Sequence, residues 1–380
     1  MKKKKIRHVY RVGISGSYGG LNMGDEAILQ SIIVQLRRSL PVEITVFTRN
    51  PEDTLRRHQV DRAIPVRKIA RNEVIPEIER LDLFILGGGG ILFDAEVKIY
   101  LQEVIIAQEK GIPVMVYAVS AGPLNDPSSQ ELVRDCLNRA TAITVRERRA
   151  RQILEGVGVD REIVVTADPA ILLKPEPLPA GTMERERLDS HRCLIGMSVR
   201  EPGLAAPDIT EDHYHALLAD AADYMVDRFD AEIVFIPMER QVLDVQHSHA
   251  VIARMLRPTR ATVLRGEYSP GQLISIAGHL AFAVGMRLHF LIFAAIRRVP
   301  FVALPYASKV SGFIEDLGGL HVEMPPLRLI NAGRLIAYID KSWDKQRSVQ
   351  NQIKRALPEL KKRALENNTI AVHLLKELRK

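Results

Sequence analysis

The chain has 380 residues, which is enough for two domains that each bury a core. Its 46% hydrophobic and 26% charged residues are typical of a globular protein. The two cysteines, Cys136 and Cys193, form no CxxC pair, which excludes a disulfide-stabilised scaffold and a paired-cysteine zinc site.

The formal charge of +7 suits anionic small molecules or an anionic membrane face. Zinc-finger spacing and aromatic RNA-binding patterns are absent from the sequence, so we expect no nucleic-acid partner. The lysines at the start are followed by no apolar signal-peptide region, and no run of about 18 apolar residues occurs. We therefore expect a cytoplasmic protein.

The first 40 residues predict a strand, a glycine-rich turn and a helix. Residues 9–14 are a short apolar run, and apolar residues three or four apart predict a helix over residues 25–40. Asp25 and Glu26 lie in its first turn, where carboxylates complement the helix dipole or bind a sugar hydroxyl. The spacing is not GxGxxG and there is no Walker lysine, so neither a dinucleotide nor a P-loop site is indicated. A tight turn explains these glycines better than an anion site does.

Strands and helices then alternate up to residue 166, which predicts a parallel sheet covered on both faces. The predicted strands are 42–47, 83–86, 113–119, 142–145 and 163–166. Four glycines, residues 87–90, follow a buried strand and indicate close approach of a ligand or a facing domain. Gly88 and Gly89 are therefore candidate site residues. Asp94 is either a ligand of the substrate or a residue that stabilises a turn.

Residues 174–192, rich in proline and charge, read as a linker, after which the alternating pattern restarts. The second half predicts strands at 194–199, 232–237 and 262–264 and helices at 213–229 and 242–256. From residue 327 onward the chain reads as helical. We predict a first Rossmann-like domain over residues 1–178, a second over 190–342, and a basic helical tail over 343–380.

Arg287 and His289 follow a buried strand of the second half. Two residues apart in extended backbone, their side chains would point to the same side. Ligands gather at the carboxyl ends of parallel strands, and Lys309 follows the next predicted strand. These three residues would bind an anion and transfer a proton. A solvated arginine and a hydrogen-bonded helix-start histidine explain the first two equally well.

Two His-x-His pairs, His213 with His215 and His247 with His249, superficially suggest a metal site. Residues two apart on a helix diverge by about 200°. We therefore expect both pairs to be solvated, and no metal to be bound.

Taken together, the motifs resemble those of the polysaccharide pyruvyl transferase family. Its landmarks occur in order from residue 13 to about 318, at residues 22–27, 82–94, 145–147, 167–169, 285–289 and 306–313. Two positions depart from the family pattern: Glu147 stands where an aspartate is usual, and Arg148 and Arg149 stand where a serine commonly follows. The departures leave open whether Arg146 or Arg148 is the site arginine.

The resemblance implies an α/β fold of two Rossmann-like, doubly wound domains facing a cleft, similar to the GT-B glycosyltransferases. It also implies transfer of a pyruvyl group from phosphoenolpyruvate to a sugar of a cell-surface polysaccharide or lipid-linked saccharide, with release of phosphate. The product would be a pyruvate ketal, and phosphoenolpyruvate would be a donor substrate, with no cofactor. The acceptor would bind the first domain and the donor the second.

Carried over position by position, the resemblance makes Arg287 and His289 catalytic residues. The arginines would hold the donor carboxylate and phosphate, and histidine is the side chain that exchanges protons near neutral pH. The expected substrate-binding residues are Arg146, Lys309, Gly88, Gly89, Asp25 and Asp94.

Two rival functions stay open at this point. A nucleotide-sugar glycosyltransferase could share the two-domain architecture, because a fold does not determine its chemistry. A non-catalytic glycan-binding or membrane-surface module could use the basic tail. Peripheral contact with the inner membrane face is also compatible with the transferase, because acceptors of the family are often lipid-linked. The sequence indicates neither the acceptor sugar nor an oligomeric state.

Overall fold

A computed structural model describes residues 8–67, 70–201, 209–239, 244–304, 308–319 and 330–378. The described strands are β1 (Tyr10–Ser15), β2 (Val42–Thr48), β3 (Arg62–Pro65), β4 (Leu83–Leu86), β5 (Gly89–Leu92), β6 (Val114–Ala121), β7 (Ala142–Val145), β8 (Ile163–Val165), β9 (Cys193–Ser198), β10 (Ala231–Phe235), β11 (Ala261–Val263), β12 (Phe282–Gly285) and β13 (Phe301–Ala303).

The described α-helices are α1 (Met23–Ser39), α2 (Pro51–Arg57), α3 (Arg71–Glu79), α4 (Val97–Tyr100), α5 (Gln102–Glu109), α6 (Pro127–Asn138), α7 (Arg148–Gly156), α8 (Thr182–Arg185), α9 (Glu211–Phe229), α10 (Asp244–Ile252), α11 (Pro270–Ala277), α12 (Leu288–Ile296), α13 (Ser308–Asp316), α14 (Ala332–Asp344) and α15 (Gln346–Glu377).

The first of two compact units comprises Met1–Gly20, Asp25–Leu173 and Leu360–Lys380. Its sheet has the order β3-β2-β1-β4-β6-β7-β8, with β5 paired to β6, and every described ladder is parallel. The chain moves outward from β1 to β3 and then returns to β4 on the other side of β1. Ligand sites of open α/β sheets form at such a reversal of strand order. The glycine turn after β1 and the glycine run after β4 both lie there.

The second unit comprises Leu21–Gly24 and Lys174–Glu359. Its parallel sheet has the order β11-β10-β9-β12-β13, so its strand order reverses between β9 and β12. Residues of α9 and α14 join its apolar core, where the rings of Phe229 and Trp343 stack with centroids 4.0 Å apart. The prediction of two Rossmann-like α/β units is confirmed.

The segment boundaries differ from those predicted. Residues 174–192, read as a linker, are hydrogen-bonded to the second unit: Glu176 N donates to Gly271 O at 3.0 Å, and the Glu186 carboxylate accepts from Arg265 N and Gly266 N. The predicted tail is divided, because α15 begins in the second unit and its residues from Leu360 onward belong to the first.

The carboxyl-terminal part of α15 joins the first unit through Asn367, which is fully buried. Its Oδ1 accepts from the hydroxyls of Thr144 and Thr166 at 2.6 and 2.9 Å. Its Nδ2 donates to the carbonyls of Ala167 and Ala364. In the described part of the chain, no helix combines the length and the apolar character needed to cross a bilayer.

The glycine run contains a strand that the sequence pattern did not predict. Residues 89–92 form β5, which pairs with β6 through Gly89–Val119 and Gly90–Ser120. Gly89 has φ +111°, a conformation that other residues rarely adopt. Its strand character comes from pairing with β6 rather than from its own propensity.

Candidate active site

Arg146 follows β7 directly and is 4% exposed. Its Nη1 donates to Asp168 Oδ2 at 2.8 Å, and its Nε lies 3.3 Å from Glu147 Oε2. Burial alone would lower the pKa of Arg146, but the carboxylates of Asp168 and Glu147 outweigh it and raise that pKa. The Ser120 hydroxyl donates to the other Glu147 oxygen. Ser120, Arg146 and Asp168 thus bring the ends of β6, β7 and β8 into one polar cluster.

Of the two candidate arginines, Arg146 is the one in this cluster. Arg148 is exposed and is the first residue of α7. The contacts of Arg146 are carboxylates of its own unit, so its binding of substrate stays a prediction. Burial raises the pKa of the Glu147 carboxyl, although the Arg146 guanidinium and the Ser120 hydroxyl both oppose that rise.

The glycines after β4 approach other parts of their own unit. A Cβ at Gly87 would lie 2.0 Å from the Tyr18 hydroxyl, and one at Gly88 would lie 3.0 Å from the Ala118 carbonyl oxygen. A Cβ at Gly89 would lie 3.1 Å from Asp25 Oδ1. Packing within the unit therefore accounts for close approach at Gly87 and Gly88. Binding of substrate by Gly88 and Gly89 stays a prediction.

Asp25 and Glu26 take different roles in the first turn of α1. The start of this helix is capped by Asn22, whose Oδ1 accepts a hydrogen bond from Gly24 N at 3.0 Å. Glu26 is buried and accepts from Gly19 N at 2.9 Å, and its other oxygen lies 2.7 Å from His58 Nε2. Asp25 is partly exposed and lies beside Gly89. Asp25 is therefore the more accessible of the two carboxylates.

Asp94 is a turn former in this structure. Its two carboxylate oxygens accept from Asn125 N at 2.8 Å and Asp126 N at 3.1 Å, which fixes the chain just before α6. Of the two roles left open for Asp94, the structure shows this one.

Arg287 lies two residues beyond β12, beside the reversal of strand order in the second unit, and its side chain is 11% exposed. Its Nε lies 3.2 and 3.1 Å from the two oxygens of Asp244, and its Nη2 also donates to that carboxylate. Nη2 lies 2.9 Å from Glu239 Oε2. The solvated-arginine alternative is therefore wrong.

His289 lies in the first turn of α12, so the expectation that it and Arg287 share extended backbone is wrong. Arg287 is the last extended residue, with φ −74° and ψ 122°, and the helix begins at Leu288. The His289 ring packs against Gly24: a Cβ there would lie 2.0 Å from Nδ1 and 2.6 Å from Cγ. A side chain larger than glycine would displace the imidazole.

Residues 22–24 pair with the segment that follows β10 and carries Glu239. Met23 N donates to Met238 O at 2.7 Å, and Asn22 forms an antiparallel bridge with Glu239. The second unit thereby collects Gly24, Glu239, Arg287 and His289 at the carboxyl ends of β10 and β12.

Lys309 is the second residue of α13 and is partly exposed. Tyr306 and Ala307, which begin its motif, lie outside the described residues. Its contribution to a site stays a prediction.

Comparison with known proteins decides the family. Residues 22–308 match the family model of the polysaccharide pyruvyl transferases. The chain belongs to the polysaccharide pyruvyl transferase family. Amylovoran biosynthesis protein AmsJ of Erwinia amylovora is 21% identical over 329 residues, which are 81% of this chain and 78% of AmsJ. Family and relative together support a transferase of polysaccharide biosynthesis.

Solved structures show the fold of this pyruvyl transferase family member. MnaA of S. aureus, solved with UDP, has a TM-score of 0.67 at 12% identity, covering 97% of each chain. HepE of Anabaena, solved with UDP and glucose, has a TM-score of 0.64 at 13% identity, covering 96% of this chain and 99% of HepE. E. coli ADP-heptose heptosyltransferase II gives 0.52 at 16% identity, covering 89% and 99%. The expected likeness to the GT-B fold is confirmed, and at these identities it extends to the fold alone.

The two histidine pairs of this transferase are not both solvated, which corrects our expectation. His213 and His249 are exposed, whereas His215 and His247 are buried and hydrogen-bonded, Nε2 to Nδ1, at 2.7 Å. The divergence of residues two apart was right, but in each pair one member faces inward. Burial lowers the pKa of both buried histidines. Among the described residues no group of three or more His, Cys, Asp or Glu is placed to hold a metal ion.

The sequence did not indicate which carboxylates hold Arg287. Asp244 is fully buried yet begins a helix after a polar stretch, where an acidic residue is ordinary. Glu239 follows β10 without any motif around it. A buried arginine requires a charged partner, but the pattern of a single sequence does not identify which one.

Glu103 in α5 was also missed. It is buried, the Ser15 hydroxyl donates to its carboxylate at 3.4 Å, and burial raises its pKa to about 7.

Proposed function

We propose that this protein transfers the pyruvyl group of phosphoenolpyruvate to two hydroxyls of a saccharide, forming a cyclic ketal and releasing phosphate. The observation that carries the proposal is the placement of Arg287 and His289 at the end of β12, beside the strand-order reversal, in a chain of the pyruvyl transferase family. An oriented cation and a proton carrier are what this chemistry requires.

The donor is assigned to the second unit. Phosphoenolpyruvate carries a carboxylate and a phosphate, together about three negative charges near neutral pH. Arginine binds such groups through charge-assisted, directional hydrogen bonds, and Asp244 holds the Arg287 guanidinium in one orientation. We propose that Arg287 binds an oxyanion of the donor and that Lys309 adds a second positive charge beside it.

The chemistry proceeds in two additions at the same carbon. A proton delivered to the vinyl CH₂ makes it a methyl group and leaves an oxocarbenium-like centre, which the first sugar hydroxyl attacks as it loses its proton. The C–O bond to phosphate then breaks, and the second hydroxyl adds to the same carbon, losing its proton. Of the two protons lost by the hydroxyls, one balances the new methyl group and the other leaves with phosphate. His289 is the group that we assign to proton transfer.

The saccharide is assigned to the first unit. Asp25 is a partly exposed carboxylate beside Gly89 and is suited to accept a hydrogen bond from a sugar hydroxyl. We propose that Gly88, Gly89 and Asp94 shape the surface that binds the saccharide by fixing the course of the backbone. Arg146 holds Asp168 and Glu147 in place and interacts electrostatically with Asp25.

Calorimetric titration of the purified protein with phosphoenolpyruvate tests the donor. Binding by the wild type that is lost in Arg287→Ala supports the proposal. Arg254→Ala, which removes an arginine of the same unit whose side chain is 33% exposed, is the matched control. A parallel donor screen measures phosphate release against nucleoside diphosphate release. Release of a nucleoside diphosphate from a nucleotide sugar would contradict the proposal in favour of glycosyl transfer.

His289→Ala tests the proton-transfer step separately from binding. General acid–base catalysis contributes about 10²–10⁴-fold, so turnover should fall by that factor while donor binding persists. Retained turnover in a folded variant would remove His289 from the mechanism.

We also propose that the protein acts in the cytoplasm and meets an anionic membrane face through the exposed lysines and arginines of α15. These are Arg347, Lys354, Arg355, Lys362 and Lys376. Polybasic segments gain about 1 kcal/mol per residue near such a surface, screened by salt. Sedimentation with phosphatidylserine vesicles but not phosphatidylcholine vesicles, reversed by salt, is the expected result; equal sedimentation with both lipids contradicts it.

A further inference from the structure

The two carboxylates that hold Arg287 differ in how firmly they are fixed. Asp244 is fully buried, and its Oδ2 accepts from Met238 N and Glu239 N, both at 3.0 Å. Both of its oxygens also lie within hydrogen-bond distance of Arg287 Nε. Asp244 is therefore a permanent partner, because releasing it would leave a buried charge and two backbone donors unsatisfied.

Glu239 is held differently. Its backbone is fixed by the hydrogen bond to Asp244 and the bridge to Asn22, but its side chain is 32% exposed. The described contact of its carboxylate is with Arg287 Nη2, at 2.9 Å. Rotation of this side chain toward water would break one charge-assisted hydrogen bond and leave the backbone in place.

The charges at Arg287 favour such an exchange when an anion arrives. In the described ion pairs of Arg287, one guanidinium faces two carboxylates, so these three groups together carry a net charge of −1. Arg200, which like Arg287 interacts electrostatically with His247, does not offset this charge, because it is paired with Glu201. A dianion approaching Arg287 would be repelled by Glu239, whereas a dianion that takes its place on Nη2 keeps the hydrogen bond and removes the repulsion.

We propose that the Glu239 carboxylate occupies the donor's oxyanion position on Arg287 and is displaced when the donor binds. The inference rests on the proposed function and goes beyond it, because it assigns Glu239 as an internal competitor that sets donor affinity. The displaced group and the ligand are both oxyanions, so the site selects a carboxylate or phosphate oxygen over a neutral group.

Glu239→Gln tests the proposal by calorimetric titration with phosphoenolpyruvate. The amide keeps the size of the side chain but removes its charge, and hydrogen bonds to neutral groups are weaker than those to charged ones. We expect the dissociation constant to fall about fivefold. Glu232→Gln is the matched control: Glu232 is 29% exposed, lies on β10 and pairs with Arg260 instead of Arg287, so the same charge change should leave binding unchanged.

The outcomes separate this inference from the proposed function. Tighter binding in Glu239→Gln alone supports displacement. Unchanged or weaker binding in Glu239→Gln, with wild-type binding still lost in Arg287→Ala, overturns displacement and leaves the donor assignment intact. Equal tightening in Glu232→Gln shows a general charge effect and also overturns displacement. Absence of binding by the wild type and by Glu239→Gln overturns the donor assignment and this inference with it. Urea unfolding of each variant confirms that it is folded.

Discussion

Gly24→Ala should lower turnover by displacing the His289 imidazole, without removing any functional group. The added methyl carbon would lie 2.0 Å from Nδ1, 2.6 Å from Cγ and 2.7 Å from Cε1 of His289. Gly24 lies in α1 and does not have a positive φ, so the alanine backbone is acceptable there and the overlap with the ring is the cost.

The size of the effect follows from that overlap. The imidazole must move by roughly 1 Å, and a misplacement of that size costs about 10²-fold in rate. Overpacking destabilises by about 1–3 kcal/mol, partly offset by a gain of up to about 1 kcal/mol from replacing glycine in a helix. The expected result is a large loss of turnover with a small loss of stability.

Phosphate release from phosphoenolpyruvate with a competent acceptor measures turnover, and urea unfolding measures stability. Gly156→Ala is the matched control, because it also replaces a helical glycine but its added methyl carbon would meet no atom within 4 Å. Turnover of Gly24→Ala within about threefold of the wild type would refute the reasoning, because a displaced acid–base group cannot leave the rate unchanged.

Two further predictions concern buried polar groups of the first unit. The pKa of Glu103 is about 7 in the folded protein, against an ordinary value of 4.5, so the folded state binds the proton of this carboxyl more tightly than the unfolded state does. The stability that this proton contributes is complete below pH 4.5. It is lost as the pH rises to about 7, by on the order of 3 kcal/mol. Glu103→Gln should lose that dependence and exceed the wild type at pH 8 in urea unfolding; an identical pH dependence in both proteins contradicts this. Asn367→Ala should cost about 2–4 kcal/mol, because two buried threonine hydroxyls lose the nearer of their two acceptors and the Ala167 carbonyl loses a donor. The exposed Asn351→Ala on the same helix should cost little, and equal losses would show that burial is not the cause.

The sequence was sufficient for elements whose pattern is local. The strand predicted at residues 142–145 is β7 with the same bounds, because a short apolar run between polar turns has few other solutions. β5 was missed because glycines do not favour a strand, and this one exists through pairing with β6. The end of α15 was assigned to a separate tail because the partners of Asn367 lie 201 and 223 residues away in the chain.

The same distinction applies to the site. Arg287 could be selected because it follows a buried strand, but Asp244, its fixed partner, is 43 residues away and carries no motif. For the histidine pairs, helical periodicity shows that the two members of each pair diverge. It does not show which member faces inward, and only the tertiary contact joins His215 to His247.

The motif at residues 22–26 illustrates why a glycine turn need not be an anion site. Residues 22–24 pack with the second unit, where Asn22 and Met23 pair with the strand end that carries Glu239 and Gly24 admits the His289 ring. Asp25 and Glu26 belong to the first unit, where Glu26 fixes Gly19 and lies beside His58. The small residue at position 24 is therefore explained by the size of an imidazole rather than by a phosphate. The same contact joins a motif near the start of the chain to the Arg287 and His289 motif more than 200 residues later, and it makes the position of His289 depend on both.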